Sequence, residues 1–157
     1  MRPLTALALA VAALAAGCGD DRPPATPEQR AVGRLLVAWS EADHDPDAVA
    51  RLPDLALVDD ADDLAELVAR AGPELDTTAL EGVDVDRHLL VVGAYPRCDE
   101  TSQVVVAEGG GELRFAVRST TTDAPLVCDR SPRQVEVWAV PRDDVAVDVS
   151  LTGPDGG

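Results

Sequence analysis

The chain has no lysine, no isoleucine and no asparagine, and only four of its 157 residues are aromatic. All 13 basic residues are therefore arginine, a pattern that reads as the codon bias of a GC-rich genome and not as chemistry. With so few aromatics, Val and Leu must build most of the core. Catalytic motifs are missing too. There is no G-x-S-x-G, no H-E-x-x-H, no Walker loop and no Gly-rich dinucleotide fingerprint, so nothing points to the enzyme classes those motifs mark. Only two histidines exist, and a His-based nucleophile–base pair would have to use His44 or His88. Long apolar runs are absent as well: Leu4 to Ala16 is the longest, at thirteen residues, whereas a bilayer span takes about twenty.

That short run has a different meaning. Arg2 supplies a positive n-region, Leu4 to Leu14 an apolar h-region, and Ala15-Ala16-Gly17 precede Cys18. The layout is that of a bacterial lipoprotein signal, with cleavage expected between Gly17 and Cys18 and a lipid on the Cys18 thiol. Ala15 occupies the place three before the cysteine where Leu is usual. An ordinary secretory signal cut near Ala16 and an uncleaved anchor are the alternatives.

Residues 1–17 hold one Arg and no acid, so the mature chain of 140 residues carries 12 Arg against 29 acids, a balance of −17. Such a surface repels phosphate backbones and anionic headgroups, which argues against nucleic acid as a partner. The length suits one domain with a single core. With Cys18 lipidated, Cys98 and Cys128 remain as an even pair in an exported protein, where disulfides persist. Neither sits in a C-x-x-C motif or beside a histidine, so a structural disulfide is expected.

Four regions follow from the pattern: a signal peptide at 1–17, a lipid-attached cysteine and flexible tether at 18–29, a single globular domain at 30–150, and a disordered tail at 151–157. The Pro-rich stretch from Gly19 to Pro27 reaches at most about 30 Å, holding the domain close to the membrane. Arg30 to Ala42 fits a helical stripe (Val32, Leu35, Leu36, Trp39) and also a strand alternation (Leu35, Val37, Trp39); strand is preferred. Asp43 to Asp47 reads as an acidic turn, and Leu55 to Val58 as a short strand. The clearest helix begins at the N-cap Asp60, buries Leu64, Leu67, Val68 and Ala71, and stops at Gly72-Pro73. Beyond residue 83 the pattern is β. His88 to Tyr95 is apolar throughout, as for a strand covered on both faces, and Ser102 to Ala107, Glu112 to Val117 and Gln134 to Val140 follow. Val145, Val147 and Val149 suggest one more strand. The fold class expected is α+β, mainly β: an antiparallel sheet folded on itself, sandwich- or barrel-like, with one covering helix.

In this order, the segment Asp62-Asp63-Leu64-Ala65-Glu66-Leu67, then Val83-Asp84-Val85-Asp86 before Leu89-Leu90-Val91-Val92-Gly93, and the ending Val135-Glu136-Val137-Trp138-Ala139-Val140-Pro141-Arg142, resemble the PrcB-type domain of protease-complex subunits. The likeness covers residues 31–142. That family often carries a Thr-Gly-Gly-Tyr-like segment after the long strand; here the place reads Ala94-Tyr95-Pro96-Arg97-Cys98-Asp99-Glu100, without the glycine pair. The resemblance implies an exported, non-catalytic accessory domain and supplies no catalytic residues.

Candidate sites are few. His88 lies near Asp84 and Asp86, but a lone histidine at a strand end is usually structural. His44 sits among Asp43, Asp45 and Asp47 without the Gly and distal Glu of an EF-hand, so a solvated loop is expected. Asp59, Asp60, Asp62 and Asp63 fit helix capping and dipole compensation better than calcium. Tyr95, Arg97 and Trp138 stand out as partner-contact residues, being the types enriched at binding hot spots; for Trp138 the competing reading is core packing under the helix. The function expected is a lipoprotein on the outer face of the cytoplasmic membrane, anchored through Cys18, acting as a non-catalytic binding or accessory module for another envelope or secreted protein. No metal or cofactor is expected. A small secreted hydrolase and a purely structural envelope protein are the alternatives.

Overall fold

A computed structural model describes residues 29–120 and 128–154. The expected signal, Cys18 and the expected tether up to residue 28 lie outside the described residues, as do 121–127 and 155–157.

Among the described residues, eight strands and three helices form three layers. The strands are β1 (Arg30–Val32), β2 (Arg34–Ser40), β3 (Leu55–Val58), β4 (His88–Pro96), β5 (Glu100–Val106), β6 (Glu112–Ser119), β7 (Arg133–Pro141) and β8 (Ser150–Thr152). The helices are α1 (Pro46–Ala50), α2 (Ala61–Ala71) and α3 (Thr78–Glu81). One sheet has the order β1-β5-β6-β8 and the other β2-β7-β4-β3. All pairings are antiparallel except β6 with β8. The mainly β, sandwich-like α+β architecture is as the patterning implies.

The second sheet is the middle layer, and its two faces feed two apolar clusters. Val135, Val137 and Ala139 of β7 and Leu90 and Val92 of β4 pack with Trp39, Val49, Leu67, Ala71 and Leu80 on the helix side. Leu89, Val91 and Tyr95 of β4 and Val140 of β7 pack with Val104, Leu113 and Phe115 of the first sheet. Hence β4 reads as a continuous apolar run: it is covered on both sides. Between the sheets the spacing is tight at Gly93, where a Cβ would lie 2.4 Å from the Phe115 ring.

Residues 30–40 are strand, broken at Gly33, whose φ of 78° lets the chain step from one sheet to the other. A bulge between Leu35 and Val37 follows. In α2 the Asp60 carboxylate accepts from the backbone N–H of Asp62 (2.9 Å) and Asp63 (2.8 Å), and Gly72 at φ 67° ends the helix.

Three expectations need correction. One helix was expected and the described residues hold three; α1 begins at Asp45-Pro46, an N-cap followed by a first-turn proline and not only a turn, where the Asp45 carboxylate accepts from Asp47 N–H. Val145 to Val149 is not a strand; after a 3-10 turn at Arg142–Asp144, Val145 and Val149 pack on the inter-sheet core while Val147 is 99% exposed. The ordered chain also runs past residue 150, since Leu151 and Thr152 pair with Leu113 and Arg114 of β6.

Candidate functional site

The feature that organises the polar side of the molecule is a buried carboxylate. Glu136 of β7 is 5% exposed and faces the first sheet. Its Oε1 accepts from the Tyr95 hydroxyl at 2.8 Å and from the Gln134 side-chain amide at 2.6 Å. Its Oε2 accepts from the Trp138 indole N–H at 3.0 Å and from the Ser102 hydroxyl. Two oxygens offer about four acceptor sites, and four neutral donors fill them. The charge is satisfied without a cation, and Ser102 of β5 links the two sheets through it. Burial, together with the neighbouring Glu136 carboxylate, pushes the Tyr95 phenol well above its ordinary range.

This network is the floor of an open groove lined by Leu35, Ala38, Tyr95, Arg97, Gln134 and Glu136, with the turn from Cys98 to Thr101 and Thr120 as its wall. The wall is stiff. The disulfide joins Cys98, after β4, to Cys128, before β7, with their Cα atoms 6.1 Å apart. Glu100 Oε2 accepts from the backbone N–H of Cys98 (2.5 Å) and Asp99 (3.1 Å), and Thr120 N–H donates to the Asp99 carbonyl at 2.9 Å. On the other bank, Leu35 of the edge strand β2 is 44% exposed.

The three expected contact residues are therefore neighbours but not equals. Arg97 is exposed, and among the described residues its guanidinium donates to Gln134 Oε1 at 2.6 Å. Tyr95 is 5% exposed, so it is floor and not surface. Trp138 is half-buried on the face away from the helices, against the inter-sheet core. It does not lie under the helix. The alternation of Glu136 and Trp138 with Val135 and Val137 is visible in the sequence, but it does not say that the first sheet covers that side. Glu136, Gln134 and Ser102 were missed; the signal was a strand with Gln, Glu and Trp on one side, opposite the only Tyr.

The remaining candidates are local. His44 Nδ1 lies 3.2 Å from the Ser40 carbonyl, and His88 Nδ1 lies 3.2 Å from the Asp84 carbonyl. Asp59, Asp60 and Asp63 are exposed, with one carboxylate oxygen of each within 4.8 Å of the others. Arg142 clamps two loops, donating to the carbonyls of Val85 (2.9 Å) and Asp59, which gives the Pro141-Arg142 ending a structural task. Among the described residues no helix is long and apolar enough to cross a membrane. No protein-family model, no curated protein and no solved structure matches the chain.

Proposed function

We propose that the protein is an envelope lipoprotein, anchored through Cys18, that serves as a non-catalytic accessory module and docks on another envelope or secreted protein through the Arg97 groove. The observation that carries this reading is the pairing of an exposed Leu35 with an exposed Arg97 across a floor whose hydrogen bonds are already satisfied. A preorganised floor with one apolar and one cationic group at its rim loses little side-chain freedom on association, which favours binding. Four donors occupy the two oxygens of Glu136, which supports a scaffold role for that carboxylate. The PrcB-type resemblance points the same way.

A photo-crosslinking side chain at Leu35, in intact cells, tests the reading. It should capture one envelope protein, and Arg97→Glu should abolish the adduct without lowering abundance. The same probe at Val147, which is fully exposed elsewhere, should not capture it. Equal capture from both positions, or substrate turnover by the purified protein alone, would contradict the reading.

A further inference from the structure

The opposite edge of the middle sheet offers a second surface, independent of the Arg97 groove. Among the described residues β3 is the outermost strand there and pairs only with β4. The Ala94 N–H donates to the Asp54 carbonyl at 2.8 Å, which makes residues 54 and 94 a hydrogen-bonded pair. Alternation along the ladder then gives Ala56 and Val58 to β4 and turns the N–H and C=O groups of Leu55 and Leu57 outward. No described hydrogen bond uses those outward groups.

Beside this edge runs a groove of about 140 Å³ between β3 and α2. Ala56, Val58 and Leu67 form its apolar floor, and Asp63, Glu66 and Arg70 its rim. Arg70 is already paired with Glu66 one turn earlier, so the net charge of the rim is negative. At the end of β3 the chain continues into Asp59 and Asp60, whose carboxylates converge with that of Asp63. Backbone hydrogen-bonding capacity, an apolar floor and an acidic rim thus lie side by side.

We propose that the free edge of β3 and the facing flank of α2 form a strand-addition site for an extended, basic segment of a partner protein. Its backbone pairs with Leu55 and Leu57. Alternate apolar side chains rest on Ala56, Val58 and Leu67, and a basic side chain meets Asp59 and Asp63. Main-chain bonds supply affinity, while the acidic rim selects cationic over anionic segments.

The probe is an acetylated, amidated octapeptide with valine at its first three odd positions, arginine at the fourth and serine between them, so that valines and arginine share one face, added to the full-length protein in neutral detergent. Amide chemical shifts should move at residues 55–58 and along α2, and saturate. The same peptide with alternate backbone nitrogens methylated keeps its charge but loses its donors, and should bind about tenfold or more weakly. Asp59→Asn combined with Asp63→Asn should weaken binding about fivefold while the folded circular dichroism spectrum is kept, Asp60 being left intact as the helix cap. Equal binding of the methylated peptide, shifts centred elsewhere, or no binding at millimolar peptide would overturn the proposal.

Discussion

Four neutral donors converge on the Glu136 carboxylate, so the effect of replacing it depends on what is left behind. Glu136→Ala strands the Tyr95, Ser102, Gln134 and Trp138 donors and should cost about 3 kcal/mol or more, read by denaturant unfolding. Glu136→Gln keeps the shape but turns one acceptor into a donor, and about 2 kcal/mol is expected. Tyr95 gives a pH test. Its folded phenol ionises above the ordinary value of 10.0, so at alkaline pH the unfolded chain loses a proton that the folded chain keeps. Stability contributed by the neutral phenol is therefore complete below pH 10 and declines as pH rises beyond it. Because Tyr95 is the only tyrosine, tyrosinate absorbance should appear late and together with unfolding, and Tyr95→Phe should flatten the alkaline decline. At Gly93 the argument is steric: Gly93→Ala drives a methyl into the Phe115 ring and should destabilise by about 2 kcal/mol.

Among the elements, α2 was legible because its ends carry chemistry that acts locally. Asp60 caps two N–H groups and Gly72 takes a positive φ that only glycine adopts readily, neither of which needs tertiary context. Asp60→Ala should therefore cost about 1 kcal/mol, seen as a shift of the urea midpoint. β4 was legible from its apolar run, and β7 from the alternation of Val135, Val137 and Ala139 with Glu136 and Trp138. What the sequence could not show was which layer covers each face: β7 alternates as if one side met water, but Gln134 and Glu136 lie between the sheets. α1 and α3 were missed since five and four residues are too few for a helical period. The Val145, Val147, Val149 alternation misled for the opposite reason. Its inward valines fill the end of the core, and only the next three residues reach β6.

At the scale of the whole molecule, the pairing of Cys98 with Cys128 followed from counting cysteines once Cys18 was assigned to the lipid. The bridge closes a separation of 30 residues and ties the end of β4 to the approach to β7. Replacing both cysteines by Ala should remove about 3 kcal/mol and lower Tm by roughly 10 °C while leaving the circular dichroism β-rich. The groove was only partly legible: Arg97 was picked as a hot-spot type, while Leu35 became a candidate only when β2 proved to be an edge strand. The proposed docking at the membrane presupposes the anchor, and one measurement decides it. Mass spectrometry of the mature N-terminal peptide from the membrane fraction should find Cys18 as the first residue, carrying a diacylglyceryl group. An unmodified Cys18, or a mature chain beginning at any other residue, would contradict the account.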